Sequence, residues 1–256
     1  MFKNKFPEFQ RGNILKQEML ENLRDYPRDF LKLYFNDYSN GIISGAQLVV
    51  DKQQIYITKG LIKFNQRIYF LKEVISLEYN STNQTIIIKI KFSDFKKQND
   101  FKLYQSNLFL DNQPRLKENE LELGRFKLRE GAQLRAEYEK FKDFKIEYNT
   151  INLIQVKYSA QGKYTLHPLI IKKFAQILLN RSNKVLDNFF AMQCLNSKVV
   201  SRKLIVSYLL KRLDITKKEY NNLELYNFLA EILADLSSVK EFKQQQRVKQ
   251  NKIIVD

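Results

Sequence analysis

Tryptophan is missing from this chain, and histidine, cysteine, proline and glycine are scarce: one, one, four and seven in 256 residues. Each scarcity closes a route. A single cysteine, Cys194, cannot form a disulfide within the chain, and with His167 as the sole imidazole there is no Cys/His cage for structural zinc. A Ser-His-Asp or Cys-His apparatus would have to use His167, which stands directly before Pro168 and reads as a helix-start or surface residue rather than a base. The few glycines do not form a GxxxxGK[ST] phosphate loop, and GxGxxG and GxSxG are also absent, which excludes a P-loop motor and leaves no cofactor motif. Apolar runs such as Thr85–Ile90 are far short of the roughly 18–20 residues that span a bilayer, and Met1–Gln10 has no apolar stretch like a signal peptide, so a cytoplasmic chain is expected.

Positive charge is plentiful. Lys and Arg number 44 against 28 Asp and Glu, a formal net charge of +16. The excess is +1 over residues 1–40, +5 over 41–131 and +10 over 132–256. A basic C-terminal half attracts nucleic acid, an anionic surface or an acidic protein, and charge alone does not choose among them. With 44% hydrophobic residues the chain has enough apolar material for a core.

Hydrophobic period divides the chain. Leu15, Met19 and Leu23 lie four apart behind Asn13, and Pro27 suits the first turn of a second helix carrying Phe30, Leu33, Tyr34 and Tyr38 on one face; residues 1–40 thus read as a helical lead-in. From Gly41 the period falls to two. Ala46, Leu48 and Val50 alternate with polar neighbours, Ile55 and Ile57 follow after a turn, and Ile86, Ile88, Ile90 and Phe92 mark the clearest strand. In Leu121–Arg129 the apolar phase slips at Gly124, as a β-bulge would make it do. Residues 41–131 read as about seven antiparallel strands in a sandwich or barrel, punctuated by glycines where positive φ is useful. After Gly131 helical spacing returns: Ala132–Tyr148 predicts an exposed helix, Ile151–Tyr158 a single strand, and Ile170, Phe174, Ile177 and Leu178 begin a bundle that continues to residue 239. Residues 240–256 read as a basic, mobile tail ending in Ile253-Ile254-Val255-Asp256. The expected fold is α+β: short N-terminal helices, an antiparallel β-sandwich or barrel and a C-terminal α-helical bundle.

Two sets of residues are candidates for binding. Tyr34, Phe35, Tyr38, Phe64 and Tyr69 are aromatic anchors for a protein partner, unless they are core. Arg202, Lys203, Lys211, Arg212, Lys217 and Lys218 could serve a helix-turn-helix on nucleic acid, although the connector Asp214–Thr216 lacks glycine and the cations need not share one face. Asp94-Phe95-Lys96 and Asp143-Phe144-Lys145 have the form of a triplet used by some metal-dependent nucleases, in charged, loop-like surroundings. No catalytic or metal-binding residue is assigned.

The stretch Gly41–Leu71, with Gly41, Gly45, Gly60 and Arg67-Ile68-Tyr69, resembles the N-terminal β-module of phage-tail and contractile-injection baseplate proteins of the type VI secretion adaptor kind, with Asn65-Gln66 where Asn-Gly is usual. The resemblance covers about a quarter of the chain and implies a non-enzymatic component that docks with other protein subunits. Through Lys16–Glu21, Glu147–Asn152 and Gln193–Ser197 the whole chain also resembles a bacterial family labelled as DNA and RNA helicases, a label that the absent phosphate loop contradicts. The function expected is therefore a structural or adaptor component of a larger assembly, with nucleic-acid binding by the basic helical half as the alternative.

Overall fold

The computed structural model describes residues 1–216 and 219–250, with side chains up to residue 237. Helix α1 (Gln17–Tyr34) comes first. Met19, Leu23, Tyr26, Phe30 and Leu33 are spaced alternately four and three apart, which places them on one helical face. Where the sequence predicts two helices divided at Pro27, one helix runs through it. Proline's fixed φ is itself helical, and what it removes is the N–H that would bond the carbonyl four residues back. Leu23 and Pro27 are both exposed, so the interruption falls on the surface of the molecule and not in its core.

At Gly41 the chain turns to strands: β1 (Gly41–Gly45), β2 (Leu48–Asp51), β3 (Gln54–Ile57), β4 (Gly60–Phe64), β5 (Arg67–Leu71), β6 (Ile75–Glu78), β7 (Thr85–Phe92), β8 (Lys96–Gln98), β9 (Phe101–Leu103), β10 (Ser106–Asp111) and β11 (Glu120–Lys127). They pair antiparallel in sheets ordered β1-β4-β5, β2-β3-β6, β10-β7-β11 and β8-β9. The concentration of glycine near residue 45 has a steric cause. Gly45 stands opposite Gly60 in the β1–β4 ladder, where a Cβ on Gly45 would lie 2.0 Å from the Lys59 carbonyl oxygen and one on Gly60 2.3 Å from the Ala46 nitrogen. Asn65 and Gln66, with φ of 43° and 61°, close the β4–β5 hairpin in the left-handed region that two-residue turns require. The slip at Gly124 is a bulge: the β11–β7 register shifts between Glu122 and Gly124.

Residues 132–166 depart from expectation. In place of a helix over Ala132–Tyr148 there is one 3₁₀ turn, Phe141–Lys145, and in place of a strand over Ile151–Tyr158 there are isolated bridges to β11 and β1. Tertiary partners account for this. The Arg135 N–H donates to the Asn149 carbonyl, the Ile151 N–H to that of Arg135, and the Asn149 N–H to that of Lys127, so backbone groups a helix would pair locally are already used. Buried Leu134, Phe141, Phe144 and Ile151 fill the core from this irregular chain.

Four helices follow: α2 (Pro168–Arg181), α3 (Val185–Asn196), α4 (Arg202–Leu213) and α5 (Asn222–Gln250). α5 carries helical backbone through much of the stretch read as a tail, while Ile253-Ile254-Val255-Asp256 lies outside the described residues. The bundle closes over Phe174, Leu178, Phe190, Ile205, Leu209, Leu225 and Leu229, all within 2% of full burial. Phe190 and Tyr208 stack at 3.9 Å between ring centroids. Phe141 stacks on Tyr226 at 4.8 Å and accepts that residue's hydroxyl at its carbonyl, 2.8 Å away, so the core passes without a break from the irregular segment into the bundle. The fold is α+β, antiparallel sheets followed by helices, as the period of the sequence implies. No helix among the described residues is long and apolar enough to cross a membrane.

Candidate interaction surface

Helix α1 buries none of its side chains. Leu23, Tyr26, Phe30 and Leu33 are 50, 57, 58 and 77% exposed. Its charged side, from Arg24 to Lys32, borders a groove of about 1270 Å³ whose floor includes Ile62, Ile68, Leu71 and Leu108. The helix therefore turns its ionic face toward its own sheets and its apolar face away from them, the reverse of a helix that packs on its own domain.

Its root is tied by backbone bonds, Gly162 N–H to the Asp37 carbonyl at 2.8 Å and Ser39 N–H to that of Ala160 at 3.0 Å, and by the side chain of Lys63. This lysine lies in β4 and is 5% exposed. Its ammonium donates to the carbonyls of Phe35, Asn36 and Tyr38, the last two at 3.0 and 2.6 Å. Those carbonyls follow the C-terminus of α1, where the helix macrodipole is negative and a cation is favoured. Burial lowers the Lys63 pKa, with the charge of Asp37 opposing. Sequence reasoning missed Lys63, because a lysine between Ile62 and Phe64 reads as the solvent side of a strand.

The structure brings together three of the five aromatic candidates. Tyr34 meets Phe35 edge-on at 4.8 Å, Phe35 meets Tyr38 at 5.1 Å, and Phe30 stacks on Tyr34 at 5.9 Å, forming a ring cluster at the root of α1. Phe64 and Tyr69 are elsewhere: both pack on Phe92, at 4.1 and 4.7 Å, and Phe64 is 4% exposed, a core residue that no partner reaches.

No family model matches the chain, and no curated protein sequence does. Among solved structures, one described as the crystal structure of TssK superposes with a TM-score of 0.42 at 10% identity, over 90% of this chain and 68% of that one. A second, a TssK-TssF-TssG baseplate subcomplex of the type VI secretion system, gives 0.37 at 9% identity, over 91% of this chain and all of the other. Likeness at that level decides nothing about function, which must come from the side chains of this chain.

The basic candidates do not form one face. Arg202 is 8% exposed and points inward, donating from Nε to the Tyr164 carbonyl at 2.6 Å, from Nη1 to that of Tyr220 at 2.5 Å, and from Nη2 to the Asn222 side chain. Arg212 is held by buried Asp187 at 3.2 Å. Lys203 and Lys211 are exposed, and Lys217 and Lys218 lie outside the described residues. Two of the six are thus structural cations, spent on carbonyls and a carboxylate rather than on phosphate.

Other titratable side chains that the sequence singles out are committed within the fold, while Thr165 Oγ1 and Asn188 Oδ1 are buried without a hydrogen-bond partner. His167 accepts the Leu169 N–H at Nδ1, 3.1 Å away, capping α2, and burial pushes its pKa down to about 3. Burial pushes the Cys194 thiol up to about 12, which suppresses the nucleophilic thiolate. Asp143 accepts the Glu139 and Lys140 N–H groups, each at 2.8 Å, as the cap of the 3₁₀ turn. Lys89, 1% exposed in β7, reaches Asp111 at 2.8 Å and Glu120 at 3.5 Å; its ammonium holds Asp111 below the usual carboxylate range. Among the described residues no group of three or more His, Cys, Asp or Glu is placed to hold a metal ion.

Proposed function

We propose that the chain is a non-enzymatic structural or adaptor component of a larger protein assembly, of the baseplate-like kind that Gly41–Leu71 resembles. The observation that carries this reading is α1: a helix with an apolar stripe facing solvent, a charged face toward its own domain and an anchored C-terminal end. An exposed apolar stripe of this length marks an interaction site, and the alternating spacing of four and three suits another helix. Binding would work by complementary shape, with the Phe30–Tyr34–Phe35 cluster as its aromatic anchor. Nucleic acid is the weaker reading, since Arg202 and Arg212 are committed inside the fold.

The test is recovery of the tagged full-length chain from the cells that make it, with and without nuclease, for the natural chain and for a Leu23→Asp/Phe30→Asp variant. A defined set of proteins should accompany the natural chain and be lost from the variant, whose circular dichroism and melting should match the original because neither residue is buried. Recovery that vanishes with nuclease, or that the variant leaves intact, would refute the proposal.

A further inference from the structure

Helix α3 carries a second apolar stripe in a different electrostatic setting. Its inner face is Asp187, Phe190, Ala191 and Cys194, all buried. On the opposite side Val185, Phe189 and Met192 follow at spacings of four and three and are 84, 60 and 55% exposed. Carboxamides border the stripe at Asn188, Gln193 and Asn196, and Lys184 and Lys198 stand just beyond the two ends of the helix. Residues 168–213, which make up α2 to α4, hold nine Lys and Arg and a single carboxylate, Asp187. That one is fully buried, where it accepts the Ser182 hydroxyl at 2.5 Å, the Tyr208 hydroxyl at 2.8 Å and the Arg212 guanidinium at 3.2 Å. The solvent face of these helices thus combines an uncovered apolar stripe with cations and no carboxylate.

We propose that the α3 stripe docks an acidic amphipathic segment of a protein partner: a helix with apolar side chains three and four residues apart, flanked by Asp and Glu. The apolar side chains would cover Val185, Phe189 and Met192, and the flanking carboxylates would meet Lys184 and Lys198, where complementary charge sets encounter rate and register. The stripe is one side chain wide with carboxamides alongside, which suits the hydrogen-bonding rim of a protein interface. A lipid surface asks for an apolar face broad enough to sink about 5–10 Å into the headgroup boundary, and the carboxamides of Asn188, Gln193 and Asn196 would be dragged in with it. Nucleic acid would meet the lysines but leave Val185 and Met192 unmatched. This inference rests on the assembly reading only in supposing a protein partner. It concerns α3 and a purified chain, whereas the α1 test concerns recovery from cells, so the two fail separately.

The experiment is fluorescence anisotropy on the full-length chain with a labelled, stapled helical peptide of about 15 residues, leucines three and four apart and glutamates elsewhere, compared with its scrambled sequence. Phosphatidylserine vesicles and a DNA duplex are the competing probes. The patterned peptide should bind at least about fivefold more tightly than the scrambled one. Phe189→Asp should weaken it by about tenfold or more, while Val49→Asp, at an exposed site on β2, should not. Lys184→Glu/Lys198→Glu should weaken it several-fold at about 50 mM salt and less at about 500 mM. Equal binding of the scrambled peptide, survival of binding in Phe189→Asp, or a Phe189-dependent preference for vesicles or duplex over the peptide would each overturn the proposal.

Discussion

His167 offers a perturbation that isolates one proton. It is the sole histidine, it is 4% exposed, and its ring meets Tyr158 edge-on at 4.7 Å between centroids. Burial holds its pKa near 3 in the fold, against about 6.5 in an unfolded chain. The folded state keeps the ring neutral while the unfolded state gains a proton below about pH 6.5, so the stability linked to this group is complete above that pH and falls as pH drops, by about 1.4 kcal/mol per unit. At pH 5 the loss amounts to about 2 kcal/mol. Carboxylates such as Asp111, held low by Lys89, lose their contribution only at lower pH, which leaves the window from pH 6.5 to 5 to the histidine. The variant to make is His167→Asn, because an asparagine carboxamide can still accept the Leu169 N–H as an N-cap. Urea unfolding at pH 7 and pH 5 should show a loss of about 2 kcal/mol in the natural chain and under about 0.5 kcal/mol in the variant. An equal loss in both would refute the assignment of acid sensitivity to this ring.

Two further substitutions test the scaffold under the α1 surface. Lys63→Met should remove the donor to the Phe35, Asn36 and Tyr38 carbonyls, lower stability by about 1–3 kcal/mol and speed tryptic cleavage within α1 several-fold; unchanged cleavage would mean that the lysine does not anchor the helix. Gly45→Ala, with φ of +64° and a 2.0 Å clash with backbone, should cost more than about 3 kcal/mol. Gly162→Ala has φ of +77° but nothing within 4 Å and should cost only about 1–2 kcal/mol. Equal shifts in thermal unfolding would show that crowding is not what selects glycine at residue 45.

Periodic stretches were legible from the sequence, and places where distant parts meet were not. The alternation of Ile86 to Phe92 marks β7, and the phase slip marks the bulge at Gly124, because both are printed in neighbouring residues. Alternation also assigns Ile87 and Lys89 to a solvent face, yet both are buried. β7 is the middle strand between β10 and β11, and Lys89 is tolerated inside only because Asp111 and Glu120, more than twenty residues away, come to it. The helical spacing in Ala132–Tyr148 misled because the partners that claim the Arg135 backbone lie on Asn149 and Ile151. For the interaction surface, the aromatic run from Phe30 to Tyr38 was visible, while its anchor at Lys63 was not, since nothing near residue 63 tells a strand lysine that it will meet the end of a helix. Composition likewise counted Arg202 among surface cations, and its three acceptors reach it from Tyr164, Tyr220 and Asn222.

The anchoring of α1 at one end makes it a lever. Its 18 residues extend about 27 Å at 1.5 Å per residue, and the buried attachment is confined to the root. A tilt of about 10° there would swing the tip near Met19 by about 5 Å, roughly one helical turn. A docked subunit would therefore be aimed by an ammonium it never touches, and its bearing relative to the sheets would be set by the geometry of three carbonyls a helix-length away.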